Sequence, residues 1–127
     1  MVSELERLCE ARRVKIESTY GAVELPEGWA RDAHPYKVTL RYQGRRLTVP
    51  FFMGSAHTSE PSAADVISCL CSDARSGEQS FEDFAGEFGY DVDSRKAEKT
   101  WRQCVATGPR VRRLLGADFE AFANAEH

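Results

Sequence analysis

Long apolar runs are missing from this chain of 127 residues. None approaches the roughly 18–20 residues that a membrane span needs, and the opening MVSELERLCEARR is charged where a secretory leader would be greasy. Both absences predict a soluble, cytoplasmic protein with no membrane partner. Histidine is scarce, at His34, His57 and His127 only. The four cysteines, Cys9, Cys69, Cys71 and Cys104, show neither the regular spacing of an exported disulfide framework nor the clustered pairs of a zinc site. Cys69 and Cys71 fall about 200° apart around a helix and cannot chelate one ion together. Reduced thiols, no metal and no cofactor are therefore expected.

A role-complete catalytic constellation is also missing, so the residues predict a binding protein and not an enzyme. No glycine loop suited to cradling phosphate occurs, and no nucleophile elbow surrounds any serine. Ser55, His57 and Thr58 sit too close together in sequence to converge as nucleophile and base, and they read as turn residues, as does His34 before Pro35. Asp91 and Asp93 have the alternate spacing that opens a calcium loop. Counting from Asp91, however, Lys96 and Arg102 stand where that loop needs its glycine and its glutamate. The two aspartates are expected instead to cap the following helix and favour its N-terminus.

What is present describes one ordinary globular domain over residues 1–127. Apolar residues at 42% and charged residues at 29% are near the usual proportions. Ser3 and Glu6 form a capping-box pattern ahead of Leu5, Leu8 and Cys9, predicting a helix that ends near Arg12. Val14, Ile16 and Ser18 then alternate with polar residues as a strand over 14–19. Residues 21–35, with Gly21, Pro26, Gly28 and Pro35, read as a long loop pinned by Trp29. Tyr36, Val38, Leu40 and Tyr42 alternate up to a turn at Gln43-Gly44, after which Leu47, Val49 and Phe51 resume the apolar face. That pattern predicts a hairpin, with Pro50 at an edge or a strand end.

Beyond residue 53 the period becomes helical. Helices are predicted over 62–74, capped by Ser62 and Asp65, and from Ser80 to Gly89 with Phe81, Phe84, Ala85 and Phe88 inward. A longer helix from Asp93 or Ser94 carries Ala97, Trp101, Cys104 and Val105 on one face, and Gly108-Pro109 should break or kink it before Gly116 ends it. Asp118 is expected to cap a last turn with Phe119, Phe122 and Ala123 inward, followed by a fraying tail. The fold class is thus α+β, a small antiparallel sheet of about three strands covered by helices. Residues 1–53 form its helix-plus-β half and 54–127 its helical half.

Charge is unevenly distributed. Residues 60–93 carry nine acids against one arginine, net −8, whereas residues 94–116 carry seven cations against one acid, net +6. The acidic block, with Glu78, Glu82, Asp83, Glu87, Asp91 and Asp93 and with Tyr90 as an aromatic anchor, suits docking on a partner's basic surface. The basic alternative is nucleic-acid contact through Arg95, Lys96, Lys99, Arg102, Arg110, Arg112 and Arg113, against which the overall pI near 5.6 argues.

The segments RYQGRRLTVPFFMGSAHTSEPSAADVISCLCSDA and SFEDFAGEFGYDVDSRKAEKTWRQC resemble a widespread family of small proteins of tailed phages and prophages. The resemblance spans about residues 36–116 and lies in the order of the blocks, so it transfers no functional residue. It implies a phage protein that acts by stoichiometric binding, the anti-CRISPR class of host-defence inhibitors among them. Together with the acidic block, it points to a host nuclease or surveillance complex with a basic nucleic-acid-binding surface as the expected partner. The alternative is an accessory or regulatory protein of the phage that contacts nucleic acid directly.

Overall fold

The computed structural model describes residues 1–26, 32–57 and 59–127. Trp29 and Thr58, each given a role above, lie outside the described residues. The fold is α+β, a three-stranded antiparallel sheet followed by an all-helical C-terminal region. It resolves into two compact units, Met1–Val66 with Glu126–His127, and Ile67–Ala125.

In the first unit, helix α1 (Glu4–Ala11) starts on the expected capping box: the Ser3 hydroxyl accepts from the Glu6 amide while Glu6 reaches back to the Ser3 amide. Strands β1 (Lys15–Tyr20), β2 (His34–Tyr42) and β3 (Arg45–Met53) then form a meander in the order β1-β2-β3. Tyr36, Val38, Leu40 and Tyr42 are all buried, as their alternation predicts, and Leu47 and Val49 join them from β3. Phe51 stays half-buried. Gln43 (φ 48) and Gly44 (φ 78) both take left-handed backbone angles, the signature of a two-residue type I′ turn. Pro50 lies inside β3, which is an edge strand where a missing ladder donor is tolerated.

Two expectations for this unit are corrected. The predicted loop 21–35 ends early, because His34 and Pro35 open β2 opposite Met53 and Phe52. The steric demand of Pro35 holds His34 extended, which suits a strand as well as a turn. The tail does not fray either. The α1 start leaves the Leu5 amide without a helical partner, and the Glu126 carbonyl accepts from it at 2.8 Å.

Helix α2 (Ala63–Gly77) is capped by a reciprocal pair at its start: the Asp65 amide donates to the Ser62 hydroxyl and the Ser62 amide to the Asp65 carboxylate. It runs three residues past the expected end. In the second unit, helix α3 (Phe81–Phe88) has the predicted limits, with Ser80 as N-cap and Gly89 (φ 71) as the left-handed C-cap. Phe84 and Ala85 are buried, but Phe88 is half exposed.

Helix α4 (Arg95–Leu115) corrects the largest sequence expectation, for it passes unbroken through Pro109. Proline withholds one amide and its ring presses on the carbonyl four residues back. That carbonyl belongs to Val105, a residue 41% exposed. The same exposure removes Val105 from the predicted inward face, where Ala97, Cys104, Gly108, Val111 and Leu114 lie. Trp101 is half-buried, its ring 5.7 Å from that of Phe81 and its indole N–H donating to the Gln79 carbonyl. Helix α5 (Phe119–Asn124) follows a 3-10 turn at Gly116–Asp118. Asp118 stands at its N-cap with helical backbone angles and does not cap it through the side chain. Phe119 and Phe122 are buried as expected.

Candidate functional site

The acidic residues gather where α3 meets α4, but not all remain available. Glu82, Asp83, Glu87, Tyr90, Asp91 and Asp93 are exposed. Glu78 is drawn off into an ion pair with Arg112, whose guanidinium also lies 4.0 Å from the Phe119 ring centre. Gln79 donates to Glu87. Tyr90, the expected anchor, is 40% exposed, and sequence reasoning missed the two apolar residues beside it, Phe88 at 50% and Val92 at 58% exposure. The Phe84 ring packs against both Phe88 and Tyr90, at 4.9 and 6.0 Å between centroids, which holds the corner in shape. The expected capping role of Asp91 and Asp93 falls instead to Ser94, whose hydroxyl accepts from the Ala97 amide while the Asp91 carbonyl accepts from the Ser94 amide.

The basic residues divide by their helical angle. At 100° per residue Arg95, Lys99, Arg102, Arg110 and Arg113 share one side of α4, Lys96 flanks them, and Arg112 points elsewhere. The five residues span about 27 Å of one unbroken helix at 1.5 Å per residue, with about 12 Å between Arg102 and Arg110. Arg102 is held by Glu98 at 2.8 Å.

Two buried thiols are held in the protonated form at neutral pH. Burial, assisted by Glu6, pushes Cys9 up to about 11, and burial with Asp73 nearby pushes Cys104 up to about 11. Cys71 is buried and Cys69 exposed, on different sides of α2. Among the described residues no three His, Cys, Asp or Glu side chains could hold a metal ion, and no helix is long and apolar enough to cross a membrane. His57 belongs to a turn, its amide donating to the Gly54 carbonyl.

One serine–histidine–aspartate line does form, from residues far apart in sequence: Ser3 Oγ is 3.0 Å from His127 Nδ1, and His127 Nε2 is 2.7 Å from Asp65 Oδ1. Its members are already engaged as helix caps, since the Ser3 hydroxyl accepts from Glu6 and the Asp65 carboxylate from Ser62. Burial alone would raise the Asp65 carboxyl; the hydrogen bonds from the Ser62 amide, His127 and the Ser62 hydroxyl outweigh it and bring the pKa below the usual value. A depressed carboxylate stabilises the fold above its unfolded pKa, about 3.9, and that stability is lost as pH falls through the folded value. Asp65→Ala is therefore expected to cost about 1 kcal/mol at neutral pH, with the gap to the parent closing below about pH 4. Urea midpoints across that pH range measure it.

An α+β fold built on a three-stranded meander is shared by proteins of many functions, so the fold itself assigns none. Compared with protein-family models, curated proteins and solved structures, the chain matches none of them.

Proposed function

We propose that this protein works by stoichiometric binding, docking the acidic corner at residues 82–93 onto a basic nucleic-acid-binding surface of a host nuclease or CRISPR surveillance complex. It is the anti-CRISPR type of action, in the host cytoplasm, that the resemblance to small phage proteins implies. The observation that carries the reading is the company the carboxylates keep. Phe88, Tyr90 and Val92 stand exposed among Glu82, Asp83, Glu87, Asp91 and Asp93. A solvated charged face has no need of three large apolar side chains. A docking surface uses them as anchors, with the surrounding charge steering the approach.

Affinity capture from nuclease-treated host lysate identifies the partner, and calorimetry with the purified partner measures the surface. Charge reversal at Glu82, Asp83, Glu87, Asp91 and Asp93 together is expected to weaken the complex at least tenfold, about 1.4 kcal/mol, with an unchanged melting temperature. Full inhibition by the reversed variant would remove the corner from the function.

The stripe on α4 favours a second reading, direct nucleic-acid contact by a phage accessory protein. Its support is the placing of Arg95, Lys99, Arg102, Arg110 and Arg113 on one side of an unbroken helix.

A further inference from the structure

The strand register places like charges side by side. Lys15 on β1 is directly opposite Arg41 on β2, and Arg41 is directly opposite Arg46 on β3. Opposed residues of an antiparallel pair share a face and stand about 5 Å apart, so three cations form one row across the whole sheet. All three are exposed. Like charges in this relation destabilise a sheet, and nothing in the packing of the strands requires them.

More positive charge converges there. Arg13, held at φ 56 after α1, and Arg45, flanking the turn, join the row around a recess of about 310 Å³ that Tyr42 and Gln43 also line. Arg45 is steadied by the Tyr42 ring at 5.9 Å. Glu17 offsets Arg41 at 3.8 Å between two exposed side chains, a weak pairing. Among the described residues no carboxylate lies within ion-pair distance of Arg13, Lys15 or Arg46.

We infer that this end of the sheet is a binding site for the phosphodiester backbone of a nucleic acid, with Lys15, Arg41 and Arg46 as the phosphate contacts and Arg13 and Arg45 beside them. Long, fanned cationic side chains across two strand spacings, roughly 10 Å, suit consecutive phosphates of one strand better than a single enclosed phosphate. The neighbouring rows are polar: Glu17 opposite Thr39, which meets Thr48 at 2.9 Å between hydroxyls, and then Thr19 opposite Lys37. Backbone contacts of this kind position a protein without reading base sequence. The inference does not rest on the acidic corner.

The test is fluorescence anisotropy of a labelled oligonucleotide, as duplex and as single strand, against the full chain over a salt series. Lys15→Gln/Arg41→Gln/Arg46→Gln is expected to bind at least tenfold more weakly, its salt slope falling by about 2–3 for the lost phosphate contacts. The same variant should melt at or above the parent temperature, because the opposed charges are gone. If it melts earlier, Arg46→Gln alone serves, with a loss of about threefold. Arg7→Gln, an exposed cation of α1 outside both basic surfaces, should bind like the parent, and Arg95→Gln/Lys99→Gln/Arg102→Gln separates the α4 reading from this one. The inference is overturned if the parent does not bind, if the row variant binds as the parent does, or if the α4 variant loses binding instead. It is equally overturned if inorganic pyrophosphate competes as well as unlabelled oligonucleotide, which would make this a small-phosphate site.

Discussion

Gly77→Ala should be the most damaging single-methyl change in the second unit. A Cβ at Gly77 would stand 2.5 Å from the carbonyl carbon and oxygen of Cys104 and 2.6 Å from the Val105 amide nitrogen. These are backbone atoms in the middle of α4, where no rotamer can move aside. The helices would have to separate, and the neighbouring contact would go with them, since Gly108 has its own would-be Cβ 3.5 Å from the Ala74 backbone. Overpacking in a well-filled core costs about 1–3 kcal/mol, occasionally more, and a backbone obstruction belongs at or above the top of that range. Gly86→Ala is the control of opposite sign. It lies inside α3 with nothing within 4 Å of its would-be Cβ, so alanine should gain about 0.5–1 kcal/mol from helix propensity. Urea midpoints of the two variants should move in opposite directions, and equal shifts would contradict the close crossing of α2 and α4.

Pro109→Ala should stabilise the protein. Proline inside a helix costs about 3 kcal/mol, and Pro109 is exposed in the interior of α4. Alanine restores the amide that Val105 can accept from and removes the ring from its carbonyl. Part of the gain is returned because proline also restricts the unfolded chain, an effect of about 0.4–1 kcal/mol. A net gain of about 2 kcal/mol is expected, and calorimetric melting reads it directly. A lower melting temperature would mean that the ring makes a contact worth more than the hydrogen bond it forfeits.

Features encoded within a few residues were legible in the sequence. The capping box of Ser3 and Glu6, the Ser80 and Gly89 limits of α3, and the Gln43-Gly44 turn each depend on neighbours a short distance along the chain. Their chemistry is local, so pattern suffices. The unread parts depend on partners far away in sequence. Gly77 lies beyond the end predicted for its helix, and its role is set by the α4 backbone. The docking of Glu126 and His127 answers unfilled groups at the starts of α1 and α2. Val105 was misplaced because a helical stripe has edges, and only packing decides which side an edge residue joins.

Charge shows the same division. Counting along the chain found the acidic block at 60–93 and the basic block at 94–116, yet it passed over Lys15, Arg41 and Arg46, which lie on three different strands and become neighbours only through strand pairing. The acidic block was in turn overcounted, since Glu78 is committed to Arg112.

The turn at Gln43 and Gly44 does more than reverse the chain. By joining Tyr42 to Arg45 with two residues and no slack, it sets the phase between β2 and β3. One residue more or fewer would carry side chains to the opposite face, breaking the alignment of Arg41 with Arg46 as surely as replacing either one. This two-residue turn is therefore the gauge of the charge spacing: the composition of the strands supplies the cations, and two left-handed residues decide that they stand in line.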